Sequence, residues 1–336
     1  MRVGLVGFGI AGRAFHAPLI EATSGLSLAA VVTSRRDELA AAYPHAEALA
    51  TVDDLWGRCD LVVVAAPNRL HVPIAREAVR RGVPVVVDKP IATSAAAAEE
   101  LVRDAERHRV PLTVFHNRRL DGDFLTVQKL VSEGALGEVI RFESRFERFR
   151  PAVDAASWRE RGGHAEGGGV LLDLGPHLVD QALVLFGPVE RVYGELDSRR
   201  AGAEVDDDAF VALTHASGVH SHLFMSAVAP LHGPRFAVSG LEAGLAIDGL
   251  DVQEGQLRAG MTPGDPAYGA ADGDGRLADA EGSRPVRLER GDYPAFYEGV
   301  VDWLAGHRPP PVDPADAVAG LRVLDTARRV AGDGAD

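Results

Sequence analysis

Gly7-Phe8-Gly9-Ile10-Ala11-Gly12 decides the fold of this chain. The hexapeptide fits G-x-G-x-x-G, follows the apolar run Val3–Val6 and opens a segment of helical periodicity, Gly12–Ala22. In that context the first glycine permits a tight turn, the second lets a pyrophosphate approach, and the third allows close packing of helix on strand. The free N–H groups at the helix start attract phosphate. The pattern predicts dinucleotide binding by Gly7, Phe8, Gly9, Ile10, Ala11 and Gly12.

Short apolar runs alternate with helical segments on both sides of this motif. The predicted strands are Val3–Val6, Leu28–Thr33, Leu61–Ala65, Val83–Val87 and Leu112–Phe115. The predicted helices are Gly12–Ala22, Asp37–Ala42, His71–Arg81 and Ser94–His108. Continuous aliphatic and β-branched runs are typical of strands buried on both faces. The alternation therefore predicts a doubly wound parallel sheet, a Rossmann domain over residues 1–120.

Beyond residue 120 strands follow one another with few helices between them. A helix, Phe124–Glu133, leads into a strand of alternating character, Glu138–Phe149. Further predicted strands are Val189–Leu196, Ala209–His215, Val219–Val228, Arg235–Ser239 and Ala246–Asp248. The stretch Thr262–Pro285 is predicted as a surface loop, and the last two helices as Ala295–Ala305 and Pro314–Val330. Residues 121–336 are thus predicted to form an α+β substrate-binding and oligomerisation domain with an open, largely antiparallel sheet.

Composition narrows the class of protein. A chain of 336 residues favours two domains over a single core. The net charge of −14 argues against nucleic acid or anionic membrane surfaces as partners. A single cysteine, Cys59, allows no intrachain disulfide, and the first residues run directly into a strand, which leaves no room for a signal peptide. We therefore expect a cytoplasmic protein.

The residues after the second predicted strand bear on the choice of cofactor. A carboxylate there, about 20 residues past the glycines, would bond the ribose 2′-hydroxyl of NAD. This chain has Thr33-Ser34-Arg35-Arg36 instead, and a hydroxyl followed by guanidinium groups suits a 2′-phosphate. Ser34 and Arg35 therefore favour NADP, with NAD as the second choice. The alternative is that both arginines face solvent.

Two further strand ends lie where an open α/β sheet presents its ligand crevice. Ala65-Ala66-Pro67-Asn68 follows the third strand and Asp88-Lys89-Pro90 the fourth. A lysine just past a buried strand can offer its ammonium to a substrate oxygen, although lysines at turns are more often merely exposed. Besides the glycine loop, the predicted cofactor residues are Ala66, Pro67, Asn68, His71, Asp88 and Lys89.

A second glycine-rich stretch, Gly167–Gly169, precedes a helical pattern that runs to Phe186. Proline is tolerated in the first turn of a helix, so Pro176 predicts a start near Asp173. Asp173 and His177 are four residues apart and share one helix face. A carboxylate beside an imidazole raises its basicity, as a general base requires. Equally, Asp173 is an ordinary helix cap and His177 a structural histidine.

The remaining polar candidates are weaker. His220 and His222 alternate on a strand, but no third ligand lies near them in sequence, so no metal site is predicted. The run Asp206–Asp208 is expected to be solvated. Candidates for the substrate pocket are Asn117, Arg118, Trp158 and His164.

Taken in order, these segments resemble the Gfo/Idh/MocA family of sugar and polyol oxidoreductases. The resemblance rests on the glycine loop, Ala66–Asn68, Asp88–Pro90 and Gly167–His177. Further motifs are similar to the NADP-dependent scyllo-inositol dehydrogenase branch, namely Phe15–Pro18, Asn117–Arg119, Arg148–Pro151, Asp173–Gln181, Asp251–Glu254 and Gly291–Tyr293. Together they span almost the whole chain.

The resemblance implies a catalytic group of Lys89, Asp173 and His177. In it His177 removes the hydroxyl proton, Lys89 stabilises the reacting oxygen and Asp173 orients the pair. Asp88 replaces the glutamate that most of the family carries before the lysine, a change that the narrower branch tolerates. The resemblance also implies that the open sheet pairs with another subunit, in a dimer or tetramer. Alternatives are a reductase of another aldehyde, ketone or nucleotide sugar, an oxidoreductase that retains its nucleotide, and a non-catalytic NAD(P)-sensing regulator.

Overall fold

The computed structural model describes residues 1–154 and 157–333. These residues form two compact units. The first consists of Met1–Leu120, Val252–Gly269 and Asp292–Val318, and the second of Asp121–Asp251, Ala270–Gly291 and the chain from Ala319 onward. The first unit thus takes in two stretches that lie beyond residue 120. The assignment of cofactor binding to residues 1–120 and of substrate binding to residues 121–336 stays a prediction.

The first unit is built on a six-stranded parallel sheet, and the Rossmann prediction is confirmed. Its strands are β1 (Arg2–Val6), β2 (Ser27–Val32), β3 (Glu47–Leu49), β4 (Leu61–Val64), β5 (Val85–Asp88) and β6 (Leu112–Phe115), in the order β3-β2-β1-β4-β5-β6. Strands β1, β4 and β5 are apolar along almost their whole length and are buried on both faces. The sequence missed only β3, a short edge strand without an apolar run.

The helices of this unit follow the predicted segments closely, except for α8, which was not predicted. They are α1 (Ala17–Ala22), α2 (Arg36–Ala42), α3 (His71–Arg80) and α4 (Ala95–His108), followed later in the chain by α8 (Gln253–Arg258) and α9 (Pro294–Leu304). Short 3₁₀ turns lie at Asp53–Leu55, Asn68–Leu70 and Asn117–Leu120. A π-helical turn, Gly12–His16, leads directly into α1. Pro18 lacks an N–H, and its ring would clash with the carbonyl of Ala14 in a regular α-helix, which accounts for the widened turn.

The second unit carries an eight-stranded mixed sheet that is mostly antiparallel, as predicted. The strands are β7 (Val139–Glu147), β8 (Val189–Asp197), β9 (Asp208–His215), β10 (His220–Ser226), β11 (Phe236–Gly240), β12 (Ala243–Ile247), β13 (Asp274–Asp279) and β14 (Gly282–Arg287). The helices are α5 (Gly122–Ser132), α6 (Trp158–Arg161), α7 (Val170–Phe186) and α10 (Pro314–Asp333), with a 3₁₀ turn at His164–Glu166. The order is β14-β13-β12-β11-β7-β10-β9-β8, in which only β7 and β10 run parallel.

The prediction of a loop over Thr262–Pro285 holds as far as residue 273 and is wrong beyond it, because β13 and β14 form an antiparallel hairpin there. Leu277 is buried on the inner face of β13, and Gly275 lies against Ile247. The residues of β14 are nearly all exposed, so they carry no alternating apolar pattern. Pro285 fits in this edge strand, where a missing N–H need not break the ladder.

Helix α7 packs on one face of the large sheet, against β7, β9 and β10. The inward side chains of β7, such as Phe142 and Phe146, are buried, and they alternate with a charged outer row that includes Arg141, Glu143 and Arg145. This period of two explains why β7 was predictable. The helix-covered face holds the core of the second unit.

Candidate active site

The glycine loop connects β1 to the π-helical turn at the carboxyl edge of the parallel sheet. Gly7 adopts a φ of +101°, and a Cβ placed on it would lie 2.5 Å from the carbonyl oxygen of Ala65. A Cβ on Gly12 would overlap the carbonyl oxygen of Gly7. Both positions therefore require glycine, the first for its backbone conformation and the second for close approach.

Gly9 differs from its two neighbours. A Cβ built on it meets no protein atom within 4 Å, so the protein itself does not demand glycine there. The position is an open cradle that a side chain would fill, and this is where the motif lets a pyrophosphate approach the backbone. Beside it, Ile10 is 52% exposed, whereas Phe8 is buried. The residues present thus fit a dinucleotide.

The residues after β2 carry a cluster of opposite charges. Ser34 and Arg36 are exposed, and the backbone N–H of Arg35 donates to the hydroxyl of Thr33 at 2.9 Å. The Arg35 guanidinium lies 2.8 Å from Glu38, which also pairs with Arg13 at 2.5 Å. These two arginines hold the pKa of Glu38 below its usual range, chiefly through the hydrogen bond from Arg35. Glu38 thus brings two guanidinium groups together beside the glycine loop.

His71 joins the loops that follow β4 and β5. It is fully buried, and its ring nitrogens lie 2.8 Å from the carbonyl oxygen of Pro90 and 2.7 Å from that of Ala66. Burial lowers the pKa of His71 against the opposing influence of Asp88 and the two carbonyls. Both ring nitrogens thus face backbone oxygens of the loops that follow β4 and β5. The direct contact of His71 with the cofactor stays a prediction.

Lys89 follows β5 at the same carboxyl edge and is half-buried. Its backbone N–H donates to the Asp88 carboxylate at 2.8 Å. Burial acts to raise the pKa of Asp88, but His16, Lys89 and His71 outweigh it, and the pKa lies below the ordinary value. The ionised carboxylate is therefore a fixed negative charge next to the lysine.

Two predicted substrate residues, Asn117 and Arg118, lie in the 3₁₀ turn after β6 and are both buried. Arg118 forms an ion pair of 2.7 Å with Glu254 on α8. Gln253 of the same helix donates to the carbonyl of Leu120 at 3.0 Å and accepts from the N–H of Tyr293 at 2.7 Å. These contacts bring the sequence motifs at residues 251–254 and 291–293 next to the motif at residues 117–119.

In the second unit, α7 begins at Val170 rather than near Asp173, so the predicted start is three residues late. Asp206 explains the difference, because its backbone oxygen accepts from Val170 at 2.9 Å and its carboxylate from Leu171 at 2.7 Å. A Cβ on Gly169 would overlap that carboxylate, and one on Gly168 would overlap the carbonyl oxygen of Gly162. The glycines thus let the helix start against a buried acid, and Pro176 lies inside the helix.

The expectation that Asp206–Asp208 is solvated is wrong for its first two members. Asp206 caps α7, and Asp207 is 1% exposed and pairs with Arg200 at 2.9 Å. Burial raises the pKa of Asp206 despite the hydrogen bond from Leu171. The backbone N–H of Arg199 and the Arg200 guanidinium outweigh the burial of Asp207 and lower the pKa of its carboxyl.

Asp173 and His177 lie one turn apart on α7 and share a face. The Asp173 carboxylate is 3.3 Å from the Arg159 guanidinium on α6. His177 is buried, with its ring 6.1 Å from the ring of Phe146. A partly exposed carboxylate and a buried imidazole on one helix face give the arrangement that acid–base chemistry needs.

The other two substrate candidates lie close to this pair. Trp158 starts α6, and the Arg159 guanidinium stacks over its ring at 4.6 Å. His164 lies in the 3₁₀ turn before the glycines, 3.5 Å from Asp206, and is about half exposed. Within residues 1–154 and 157–333, no three His, Cys, Asp or Glu side chains are grouped as a metal site would need.

Comparison with known proteins identifies the family of the chain. Residues 1–116 match the family model described as the oxidoreductase family with an NAD-binding Rossmann fold, and residues 124–246 match the GFO/IDH/MocA C-terminal domain. The chain belongs to the Gfo/Idh/MocA family. This family and the relatives of the chain are oxidoreductases and dehydrogenases acting on CH–OH groups, so the chain is an enzyme of this kind with an NAD(P)-binding Rossmann domain.

Several members of the Gfo/Idh/MocA family are similar over nearly the full length. The uncharacterized oxidoreductase YdgJ of Escherichia coli K12 is 38% identical, with 97% of this chain and 94% of YdgJ covered. The scyllo-inositol 2-dehydrogenase (NADP(+)) IolW of Bacillus subtilis is 32% identical, with 97% and 92% covered. The structure of the yvaA protein of Bacillus subtilis superposes with a TM-score of 0.93 at 31% identity, over 99% of this chain and 96% of that one.

None of the described helices is long and apolar enough to cross a membrane. The sequence predicted Lys89, Asp173 and His177 but assigned no role to Arg13, Glu38, His16 or Tyr297. Only the motif Phe15–Pro18 pointed toward His16, and it did so by resemblance. Tyr297 lies 281 positions from His16 and Arg13 lies 25 positions from Glu38, and no local pattern marks them. Glu38 is three residues from Arg35, but an acid in the first turn of a helix is too common to indicate a role.

Proposed function

We propose that the protein is an NADP-dependent dehydrogenase of an inositol, a sugar or a related polyol. One observation carries the proposal. Lys89 leaves β5 at the same sheet edge as the open glycine cradle around Gly9, so a cationic side chain lies where the fold presents a bound dinucleotide. The similarity to a scyllo-inositol dehydrogenase supports the polyol class.

The glycine loop would hold the pyrophosphate, with Phe8, Ile10 and Ala11 beside it. Ala66, Pro67 and Asn68 at the end of β4, and Asp88 and Lys89 at the end of β5, complete the proposed cofactor edge. Ser34 and Arg35 would bind the 2′-phosphate. The Glu38 carboxylate holds Arg35 in place, which reduces the side-chain entropy that phosphate binding costs.

When bound, a nicotinamide would supply hydride transfer to or from the substrate carbon. Side chains of the protein would remove the hydroxyl proton and stabilise the charge on the reacting oxygen. We assign His177 the role of general base for the hydroxyl proton and Lys89 that of hydrogen-bond donor to the reacting oxygen. Asp173 would orient His177 from one turn away. Asn117, Arg118, Trp158 and His164 are the proposed substrate contacts.

A substrate panel tests this function. Purified protein is mixed with NADP or NAD and with scyllo-inositol, myo-inositol, common aldoses and their oxidised forms, and absorbance at 340 nm is followed. We expect turnover with at least one inositol or sugar and a higher kcat/KM with NADP. Turnover only with simple aldehydes or nucleotide sugars would redirect the substrate class. Tight nucleotide binding without turnover on any compound would favour a sensor.

We also propose that the protein is a homo-oligomer assembled through the outer face of its large sheet. This face carries Phe210, Phe224 and Tyr193, the last 50% exposed, and its charged row offers ion-pair partners to a second copy. Tyr193→Asp should lower the mass measured by light scattering, whereas Tyr193→Phe should not. A wild-type mass of one chain at micromolar concentration would contradict the proposal.

A further inference from the structure

A row of buried polar side chains lies behind Lys89 in the first unit. The hydroxyl of Tyr297 on α9 lies 2.7 Å from Nδ1 of His16. Nε2 of His16 is buried 3.7 Å from the Asp88 carboxylate, which is longer than a hydrogen bond but close enough for an electrostatic contact, and the other oxygen of that carboxylate accepts the Lys89 N–H. Both His16 and Tyr297 are fully buried. Buried polar groups are costly unless paired, so a row of this kind requires an explanation beyond packing.

The direction of the protons follows from the chemistry of the three groups. Burial, together with the Asp88 charge, raises the pKa of Tyr297 well above its ordinary value, so the phenol keeps its proton. Its O–H therefore donates to Nδ1 of His16. A neutral imidazole that accepts at Nδ1 carries its proton on Nε2, which is the nitrogen that faces Asp88. Tyr297 thus fixes the tautomer that presents an N–H to the carboxylate.

Aromatic rings also pack against His16 and Tyr297. Its ring lies 4.4 Å from the ring of Phe115, and the Phe115 ring in turn contacts Tyr297 at 6.0 Å. The titratable groups that act on Asp88 come from four elements: His16 from the π-helical turn, His71 from α3, Tyr297 from α9, and Lys89 from the end of β5 itself.

We infer that Tyr297, His16 and Asp88 form a positioning relay that keeps Asp88 ionised and thereby holds Lys89 in place as a cation. The inference rests on the proposed catalytic role of Lys89. The carboxylate fixes the lysine backbone by accepting its N–H and provides a negative charge beside the ammonium. Protonation of Asp88 would remove that charge, and the lysine would then be less well positioned to stabilise an oxygen. The three relay residues are positioning residues and not catalytic ones.

Four variants separate the relay from simple packing. His16→Leu removes the N–H donor, whereas His16→Gln retains one at the position of Nε2. Tyr297→Phe removes only the hydroxyl, and Phe115→Leu disturbs the packing without removing a hydrogen bond. We expect kcat to fall by about 10-fold in His16→Leu and by about threefold in Tyr297→Phe, with an unchanged KM for NADP. His16→Gln and Phe115→Leu should stay within about twofold of wild type.

The pH profile of kcat distinguishes the relay from packing, because a change in packing alone should not shift its acid limb. Burial opposes the ionisation of Asp88, so loss of the His16 donor should raise the carboxyl pKa and shift the acid limb of kcat upward by about one pH unit. Phe115→Leu should leave the limb in place. If His16→Leu does not fold, Tyr297→Phe carries the same prediction with a smaller upward shift.

A titration of the protein without cofactor tests the relay independently of activity. Protein labelled with ¹³C at aspartate carboxyls is titrated by NMR, and the Asp88 signal is assigned by its loss in Asp88→Asn. An upward shift of the Asp88 midpoint in His16→Leu and Tyr297→Phe, but not in His16→Gln, would support the relay. If the midpoint shifts but the wild type converts no substrate, the proposed function fails while the effect of the relay on Asp88 stands. An active wild type whose Asp88 midpoint and acid limb are unchanged in His16→Leu would overturn the inference.

Discussion

The proposed cofactor edge of the first unit and the start of α7 in the second are both glycine-rich, but different kinds of contact hold them. At the cofactor edge the decisive contacts involve backbone, since Gly7 lies against the carbonyl of Ala65 and Gly12 against that of Gly7. At the start of α7 charged side chains from outside the helix take part as well, such as Asp206 and Arg159.

The backbone decides which residues fit in the first region, whereas side-chain charges are decisive in the second. A backbone cradle binds phosphate through N–H groups that any sequence supplies, so its specificity lies in the few positions where only glycine fits. The α7 region instead depends on buried acids whose pKa values are shifted in opposite directions, since burial raises the pKa of Asp206 while hydrogen-bond donors lower that of Asp207. We therefore expect the two regions to respond differently to substitution.

The largest effect should come from the proposed catalytic side chains. Lys89→Ala and His177→Ala should each lower kcat by about 100-fold or more, because each removes a group that acts on the reacting oxygen or its proton. Affinity for NADP, followed by NADPH fluorescence, should change by less than about threefold, since neither side chain is assigned to the phosphates. Near-native turnover in either variant would show that its role is misassigned.

Substitutions at two glycines of the loop should affect stability and cofactor binding separately. Gly12→Ala forces a methyl group against the Gly7 carbonyl and should lower the free energy of unfolding by about 2–4 kcal/mol. Gly9→Ala places its methyl group in open space, so unfolding should change by less than about 0.5 kcal/mol while NADP affinity falls by about 10-fold. Urea unfolding and cofactor titration measure the two quantities. Equal loss of stability in both variants would contradict the account of Gly9.

The neighbouring acids Asp206 and Asp207 should behave in opposite ways. Asp207→Asn leaves the buried Arg200 without its full counter-charge and should lower the free energy of unfolding at pH 7 by about 2–3 kcal/mol. Asp206→Asn keeps an oxygen for the Leu171 N–H and removes an unfavourable buried charge, so unfolding should change by less than about 1 kcal/mol.

The pH dependence of these two variants follows from the direction of each pKa. Folding lowers the pKa of Asp207. The contribution of this carboxylate to stability is therefore present above about pH 4 and is lost as the pH falls through the folded pKa. The Asp206 pKa is raised, so its contribution is present at low pH and is lost as the pH rises through the folded pKa. Thermal unfolding from pH 3 to pH 8 measures both, and a greater loss in Asp206→Asn than in Asp207→Asn at pH 7 would reverse the assignment.

The effect that salt should weaken most concerns the exposed end of the proposed cofactor site. Arg35→Ala should reduce the preference of kcat/KM for NADP over NAD by between several-fold and about 100-fold, depending on screening by salt. Ser34→Asp should invert the preference, because a carboxylate bonds a 2′-hydroxyl and repels a phosphate. Arg36→Ala provides the matched comparison and should have little effect. Unchanged selectivity in Arg35→Ala would remove Ser34 and Arg35 from the proposed site.

The parts of the molecule that the sequence predicted share a local signal. Strands β1, β4, β5 and β6 are continuous apolar runs, and the glycine loop has its strand before it and its helix after it. Lys89 was predictable because it directly follows such a strand. Where the apolar pattern is absent, as in β3 and β14, no strand was predicted.

The contacts that the sequence missed join residues far apart along the chain. Asp206 caps α7, whose first residue lies 36 positions before it in the sequence. The relay connects His16 to Tyr297 across 281 positions. A run of three aspartates resembles a solvated surface segment until its partners are known. The late start predicted for α7 has the same origin, since only Asp206 explains why the helix extends N-terminally beyond Asp173 with Pro176 in its interior.

Transfer of deuterium tests the central claim most directly, namely that the protein moves a hydride between a CH–OH carbon and the nicotinamide with Lys89 and His177 at the reacting oxygen. A polyol that is active in the panel is prepared with deuterium on its reacting carbon and incubated with NADP and wild-type protein. The reduced cofactor is then examined by NMR. The account predicts deuterium at C4 of the nicotinamide, with a rate lowered by about 100-fold in His177→Ala. Reduced cofactor that carries no deuterium, or equal rates in both proteins, would contradict it.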